Sequence, residues 1–377
     1  MTDKANPLRQ LGQRGQAVWL DYLRRDLFDG ELKTLIDRDG LTGMTSNPSI
    51  FEKAIASGKY DADIVSAVAA NKAIGDVELY EHMAIADIQK AADQLRVVYD
   101  KTGGKDGFIS LEVSPKLAND TNGTIEEARR LWKTVGRDNL MVKVPGTKAG
   151  IPAIQQLTAD GLNINITLLF SQDAYKATIE AYVAGLEARA AKGQPVDKIG
   201  SVASFFVSRI DSMVDDAIEK KIAAKDPKAG ALSPLRGKFA IANAKLAYQH
   251  YLTVLASPRW KALAAKGAKV QRLLWASTGT KNKAYPDTLY IDELIGPDTV
   301  NTMPPATMDA FRDHGKVRES LLEDVAGAHK VFDGVSAGGI DLGPIMDHLV
   351  ADGVKQFETA FDTLLGAVKS KRASKAA

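Results

Sequence analysis

NLMVKVPG, residues 139–146, is an apolar run with one lysine, Lys143, near its centre. The aliphatic and β-branched residues predict a buried strand. Burial disfavours the charged form of an amine, so a lysine in such a strand tends to become a nucleophile. Alternatively, the side chain extends to the surface or pairs with a carboxylate. Lys143 is therefore a candidate for Schiff-base formation with a carbonyl compound.

Strand-like apolar runs recur along the chain, separated by longer segments with helical periodicity. This alternation is typical of parallel β/α units. The predicted strands are residues 17–22, 40–45, 107–113, 140–144, 162–169, 199–206, 272–277 and 299–303. The predicted helices are residues 62–98 with a break near Gly75, 124–135, 171–191 with Ser171 as N-cap, and 208–224. The pattern predicts an α/β fold, a (β/α)8 TIM barrel with additional helices.

Two helical segments extend the basic unit. One is an insertion at about 231–266, and the other is a C-terminal extension at about 342–370. We expect a single barrel domain over 1–377. The extension carries an apolar stripe that should pack on the barrel or, alternatively, form a dimer contact: Ile345, Leu349, Val354, Phe357, Phe361, Leu364, Leu365 and Val368. Residues 369–377 are basic and small, and predict a frayed tail.

Composition excludes several classes of protein. The formal charge of +2, with 45% hydrophobic and 25% charged residues, gives no basic field suited to nucleic acid. The chain has no cysteine, which agrees with a reducing compartment. Residues 1–10 contain no apolar signal core, and no apolar run is long enough to span a bilayer. We expect a soluble, cytoplasmic protein, monomeric or homodimeric, that binds neither membranes nor nucleic acid.

Polar side chains end most of the predicted strands. In a barrel the C-terminal strand ends converge on one mouth, where the chemistry of the fold takes place. Glu112 is the hardest to explain structurally, because a glutamate within a buried alternation is rare unless it is paired or catalytic. The strand-end residues are Asp21, Asn47, Glu112, Lys143, Asn165, Thr167, Ser204, Arg209 and Ser277.

Several of these residues also have structural interpretations. Asp21 could cap a strand end or pair with a cation, and Asn47 before Pro48 could be an ordinary turn residue. Thr167 could be present as a β-former. Arg209 could bind Asp211 or Asp215 on its own helix.

Six motifs occur in order over about residues 15–310: TSNPSI (45–50), SLEVS (110–114), MVKVPGT (141–147), NINITLLFS (163–171), SFFVSRI (204–210) and LWASTGTK (274–281). On these motifs the chain resembles the transaldolase family of class I Schiff-base enzymes. TVNTMPP (299–305) is similar to the longer bacterial group. Lys281 stands near the place where some members carry a phosphate-binding arginine, so this chain departs from the pattern at its second phosphate ligand.

The resemblance implies reversible transfer of a dihydroxyacetone unit in the non-oxidative pentose phosphate pathway. The donors are sedoheptulose 7-phosphate or fructose 6-phosphate, and the acceptors are glyceraldehyde 3-phosphate or erythrose 4-phosphate. Lys143 would form the imine, Asp21 would act as the base at the cleaved carbon, and Glu112 would act through a water held by Thr167. The expected substrate-binding residues are Asn47, Asn165, Ser204, Arg209, Ser277 and Lys281. Arg209 and Ser277 would bind the phosphate, and the second phosphate ligand, Lys281 or another residue, stays open.

Neither a metal nor a cofactor is expected. The five histidines, His82, His250, His314, His329 and His348, show no metal-ligand spacing, and an iminium already serves as an electron sink. Two other functions remain open. One is a Schiff-base fructose 6-phosphate aldolase, a lyase that releases the three-carbon unit. The other is a noncatalytic barrel that binds phosphate.

Overall fold

The structure, a computed structural model, describes residues 6–376. Eight parallel strands form a closed barrel in which each strand pairs with the next and β8 returns to β1. The strands are β1 Gln16–Asp21, β2 Leu41–Thr45, β3 Phe108–Glu112, β4 Leu140–Pro145, β5 Ile164–Leu169, β6 Ser201–Phe206, β7 Gln271–Ala276 and β8 Thr299–Met303. The predicted (β/α)8 barrel is therefore confirmed.

The predicted strands agree with the observed ones to within two residues at each end. The prediction for the seventh strand ran one residue too far, to Ser277. This residue has φ +56° and so leaves the extended conformation directly after Ala276. That bend marks the point where the chain turns into the loop at the mouth of the barrel.

Within the described residues, sixteen α-helices accompany the strands, and the predicted break near Gly75 separates α4 from α5. Ser171 caps α8 as predicted, since its Oγ accepts a hydrogen bond from the amide of Ala174 at 3.1 Å. The helices are α1 Pro7–Gln13, α2 Glu31–Thr34, α3 Pro48–Ala56, α4 Asp61–Ala70, α5 Asp76–Lys101, α6 Thr121–Val135, α7 Gly150–Asp160, α8 Gln172–Ala191, α9 Ser208–Ala223, α10 Ala229–Leu232, α11 Phe239–Ala256, α12 Pro258–Ala264, α13 Leu289–Asp292, α14 Pro305–His314, α15 Val325–Ala337 and α16 Leu342–Ala376.

The predicted insertion at 231–266 is not one continuous helix. It contains the end of α10, a short 3-10 turn at Ser233–Leu235, α11 and α12. Ser257 interrupts the last two helices, because its extended backbone ends α11 while its side chain caps α12 through the amide of Trp260. The helical periodicity was recognised correctly, but these local breaks were not.

The C-terminal helix α16 packs along α3, α4, α5 and α9 and touches β5. The predicted apolar stripe faces the barrel, with Phe357, Phe361 and Leu364 buried in the core. The prediction of a frayed tail was wrong over residues 369–376, because the helix continues to Ala376. Lys371 pairs with Asp61, and Arg372 pairs with Asp76 at 3.2 Å. Ala377 lies outside the described residues.

A buried ion pair lies inside the barrel, near the N-terminal ends of the strands. Arg272 forms a buried ion pair with Asp106 at 3.1 Å, and the indole of Trp19 donates to the same carboxylate at 2.8 Å. Gly43 makes room for that indole, since a Cβ at this position would lie 2.4 Å from the ring. A cavity of about 320 Å³ also lies at this end, and Arg272 is one of its lining residues.

Between residues 6 and 376, no helix combines the length and the apolar character that crossing a membrane requires.

Candidate active site

A cavity of about 620 Å³ opens at the C-terminal ends of the strands. Eight of the ten predicted site residues line it, although they come from seven separate parts of the chain. Glu112 and Asn165 are not among its lining residues, but Glu112 contacts Lys143 and Asn165 contacts Ser204, which are. The lining residues that were predicted are Asp21, Asn47, Lys143, Thr167, Ser204, Arg209, Ser277 and Lys281.

Lys143 is buried on β4, and 5% of its surface is exposed. Its Nζ lies 3.5 Å from Oε2 of Glu112 and donates a hydrogen bond to the carbonyl of Ser46 at 3.3 Å. The two residues are direct neighbours in the register of β3 and β4. The pairing with a carboxylate considered from the sequence is therefore present. It also places an acid and a potential nucleophile side by side.

Glu112 lines a smaller cavity of about 190 Å³, whose other walls include residues of α3, α5, α6 and α16. Neither carboxylate oxygen has a hydrogen-bond partner among the described residues. Burial raises the pKa of Glu112 above its ordinary value, and the charge of Lys143 partly opposes that rise. This carboxyl group can therefore hold a proton at a pH where an exposed glutamate is ionised.

Asp21 ends β1 on the opposite side of the cavity. Thr45 donates a hydrogen bond to its Oδ1 at 2.7 Å, and the Thr45 hydroxyl lies 2.8 Å from that of Thr302. Burial raises the pKa of Asp21, while Lys143 and the bond from Thr45 oppose the rise. These contacts orient the carboxylate without neutralising it, as a proton acceptor requires.

The two asparagines differ in their surroundings. Asn165 donates to the Ser110 hydroxyl at 3.0 Å and accepts from Ser204 at 2.7 Å, so it orients a residue that lines the cavity. Asn47 is the N-cap of α3 and accepts from the amide of Ile50 at 3.0 Å. Asn47 is thus a helix N-cap instead of the ordinary turn residue considered from the sequence. The capping bond involves only its side-chain oxygen, and its amide nitrogen takes no part in it.

Arg209 is the second residue of α9, and its Nη1 is buried without a hydrogen-bond partner among residues 6–376. Its guanidinium carbon lies 5.4 Å from the ring centroid of Phe206. Burial lowers the pKa of Arg209, and the charge of Asp352 on α16 partly opposes this. A buried cation with unused donor capacity at a cavity is suited to binding an anion.

The carboxylates proposed as alternative partners of Arg209 make other bonds. Asp211 accepts from the hydroxyl of Tyr290 at 2.9 Å and from the amide of Ala240 at 2.7 Å. Asp215 accepts from Tyr285 at 2.7 Å and from the amide of Gly237 at 3.0 Å. Both carboxylates therefore anchor neighbouring segments of the chain, and that interpretation of Arg209 was wrong.

The loop after β7 completes this side of the cavity. The hydroxyl of Ser277 lies 2.9 Å from that of Ser208, which ties the loop to the start of α9. Burial lowers the pKa of Lys281, and the nearby positive charge of Arg209 lowers it further. Lys53 also lines the cavity. Positive charge is thus concentrated locally in a chain whose net charge is close to zero.

Several lining residues were not among the predicted site residues. Thr45, from the predicted TSNPSI motif at the end of the second strand, and Thr302 form the hydrogen-bonded support of Asp21. Phe206 and Phe357 supply apolar wall. Phe357 belongs to the stripe that was predicted to pack on the barrel or to form a dimer contact. Its spacing gave no signal for a position beside Lys143, because that position depends on how α16 lies across the barrel.

Within residues 6–376, no group of three or more histidine, aspartate or glutamate side chains is arranged to hold a metal ion. His314 lies against Asp287 and Asp313, and His250 packs on the ring of Tyr175. These histidines make local contacts away from the cavity.

A buried lysine beside a carboxylate, at the mouth of a (β/α)8 barrel and next to unpaired cations, is typical of Schiff-base enzymes that act on anionic carbonyl compounds. Residues 18–368 match the sequence model of the transaldolase/fructose-6-phosphate aldolase family. The chain belongs to this family. It is a transferase of the transaldolase type.

Curated relatives cover nearly the whole chain. A transaldolase of Trichodesmium erythraeum is 48% identical over 373 residues, which cover 97% of each protein. A transaldolase of Frankia alni is 46% identical over 367 residues, with the same coverage. One of Thermobifida fusca is 45% identical over 378 residues, covering 98% of this chain and 99% of the relative.

Proposed function

We propose that the protein transfers a dihydroxyacetone unit between sugar phosphates through an imine on Lys143. The donors are sedoheptulose 7-phosphate or fructose 6-phosphate, and the acceptors are glyceraldehyde 3-phosphate or erythrose 4-phosphate. The observation that carries the proposal is the contact between buried Lys143 and Glu112 at a cavity lined by cations. This places the reaction in the non-oxidative pentose phosphate pathway.

Imine formation requires a neutral amine and later an acid. Glu112 takes a proton from Lys143, since the two groups are 3.5 Å apart and burial raises the pKa of the carboxyl. Lys143 then attacks the ketose carbonyl to give a carbinolamine. Glu112 returns the proton to the departing hydroxyl through a water. The buried and unpartnered hydroxyl of Thr167 offers that water a hydrogen bond.

Asp21 is the base for carbon–carbon cleavage. It takes the proton of the hydroxyl on the fourth carbon, while the bond between the third and fourth carbons breaks and its electrons pass into the iminium. The products are an aldose phosphate and an enamine on Lys143. Addition of an acceptor aldehyde reverses these steps. The raised pKa of Asp21 makes it a stronger base than an exposed aspartate.

The remaining lining residues bind the sugar chain. Asn47 and Ser204 hold hydroxyls of the three-carbon unit, and Asn165 orients Ser204 through their 2.7 Å bond. Arg209, Ser277 and Lys281 bind the phosphate. Arg209 is suited to this because its Nη1 has no hydrogen-bond partner among residues 6–376 and a guanidinium matches phosphate oxygens.

The second candidate function is that of a fructose 6-phosphate aldolase, which the family name includes. The two differ only in whether the enamine meets an aldehyde or a proton. The test incubates the protein with fructose 6-phosphate, with and without erythrose 4-phosphate, and quantifies the products. We expect sedoheptulose 7-phosphate with acceptor and little free dihydroxyacetone without it. Rapid release of dihydroxyacetone regardless of acceptor would contradict the transferase assignment.

The cytoplasmic location and the choice between monomer and homodimer stay predictions. The expectation of one domain over 1–377 likewise stays a prediction.

A further inference from the structure

Phe357 reaches the catalytic cavity from outside the barrel. It lies on α16, yet its ring lines the same cavity as Lys143 and Asp21. The ring centroid is 5.7 Å from Nζ of Lys143, and 7% of the residue is exposed. The helix therefore supplies an apolar surface directly beside the atom that forms the imine.

A close contact between α16 and β5 holds the ring in place. Gly353 lies one helical turn before Phe357, and a Cβ there would lie 2.8 Å from Cδ2 of Leu168. Leu168 follows Thr167 and has φ +62°, which directs its side chain differently from a regular strand residue. The helix can approach the barrel this closely because residue 353 lacks a side chain. Phe357, four residues later, then lies on the same face.

We propose that Phe357 determines reaction specificity, favouring transfer to an acceptor over release of free dihydroxyacetone. The inference rests on the proposed function, because it concerns the enamine on Lys143. Release begins when a proton adds to the enamine carbon that carried the aldose, which regenerates an iminium. Water then adds to the iminium carbon, the carbon–nitrogen bond breaks, and dihydroxyacetone leaves with the lysine amine restored. That water replaces the one lost during imine formation.

An aromatic ring beside the nitrogen opposes this release because it occupies space where water could approach the enamine carbon with a proton. Truncation of the ring would admit water and leave the polar residues of the cavity in place.

The test compares Phe357→Ala with a control in the same helix, Leu364→Ala. Leu364 is buried in the same apolar stripe but does not line the cavity. Each variant is incubated with fructose 6-phosphate at several erythrose 4-phosphate concentrations, and the ratio of free dihydroxyacetone to sedoheptulose 7-phosphate is measured. We expect Phe357→Ala to raise this ratio about tenfold or more, as one admitted water can do to a shielded intermediate. Leu364→Ala should keep the wild-type ratio although it is less stable.

A wild-type ratio in a folded Phe357→Ala that still transfers the three-carbon unit would overturn the inference. Failure of the wild-type protein to form sedoheptulose 7-phosphate would instead overturn the proposed function. If Phe357→Ala does not fold, judged by circular dichroism, Phe357→Val takes its place with an expected rise of about threefold. A wild-type ratio in that variant would equally count against the role of Phe357.

Discussion

The barrel interior holds two buried ion pairs, Lys143–Glu112 toward the mouth and Arg272–Asp106 near the N-terminal strand ends. Their side chains are similarly buried, with 4–8% exposed, and the charges are 3.5 Å and 3.1 Å apart. Asp106 also accepts from the Trp19 indole at 2.8 Å and from the amide of Gly107 at 3.2 Å. Neither oxygen of Glu112 has a comparable partner in the described part of the chain.

This difference separates a structural pair from a reactive one. A buried carboxylate with several hydrogen bonds is held in its charged form, whereas one without them is easily protonated. Among residues 6–376, Nη2 of Arg272 also lacks a partner, as do the Thr167 hydroxyl and Nη1 of Arg209, which lie at the mouth. Leaving them unsatisfied costs stability, and a bound substrate or water can supply the missing bonds.

The largest expected effect is on catalysis at the mouth. Lys143→Arg should lower kcat/KM for transfer by roughly 10⁴-fold or more, because a guanidinium keeps the charge but cannot attack a carbonyl. A coupled assay of sedoheptulose 7-phosphate formation measures it. The matched control is Arg272→Lys at the other pair, which should lose little activity in the folded fraction. Comparable turnover in Lys143→Arg would rule out covalent catalysis by this residue.

Removing the cation of each pair should affect stability differently. Arg272→Met removes the ion-pair partner of the buried Asp106, and should lower the free energy of unfolding by about 3–5 kcal/mol. Lys143→Met should cost less than about 2 kcal/mol, because Glu112 can take up a proton in place of its lost partner. Urea unfolding at pH 7 measures both values. Equal losses would mean that Glu112 and Asp106 are alike, and the contrast between the two pairs would fail.

The unpaired guanidinium of Arg209 at the mouth should contribute only to reactions of phosphorylated substrates. Arg209→Ala should lower kcat/KM for phosphorylated substrates by about 30- to 1000-fold, or about 2–4 kcal/mol. Transfer to an unphosphorylated aldehyde from free dihydroxyacetone provides the internal control and should hardly change. If both activities fall equally, Arg209 is structural, and the phosphate site must lie around Ser277 and Lys281.

The smallest expected effect concerns the hydroxyl of Thr167, whose removal should lower activity but raise stability. Thr167→Val should raise the free energy of unfolding by about 1 kcal/mol, because it removes a buried hydroxyl without a partner. It should also lower kcat roughly tenfold through loss of the water site. Thr178 on α8 is the control, since its hydroxyl is equally buried and unpartnered but outside the cavity. Thr178→Val should gain stability and keep full activity. If Thr178→Val also lowered kcat, the loss of activity in Thr167→Val could no longer be assigned to its place in the cavity.

The order of strands and helices could be predicted because it depends on local patterns. The eight apolar runs and the helical periods between them are visible without any knowledge of contacts. The breaks within 231–266 were missed, since the helical period continues past Ser257 although its backbone is extended. The helical end at residues 369–376 was missed for another reason. Its stability comes from Arg372 and Lys371 pairing with residues about 300 positions earlier.

The candidate site could be predicted in its polar part, because strand ends of a barrel converge whatever the details of packing. Two features of the site could be recognised only from the structure. Asn165 lies behind Ser204 instead of lining the cavity, which depends on side-chain register. Phe357 reaches Lys143 only because Gly353 lets α16 approach Leu168 closely. Long-range packing of this kind leaves no signature in spacing.

The most direct test asks which amine carries the substrate. The wild-type protein is incubated with fructose 6-phosphate and reduced with borohydride, and the modified peptide is identified by mass spectrometry. Hydride reduction converts an imine into a stable secondary amine, so a three-carbon or six-carbon adduct should appear on Lys143. An adduct on another lysine, such as Lys281 or Lys53, or no adduct in a protein that turns over its substrate, would contradict the assignment of Lys143 as the nucleophile.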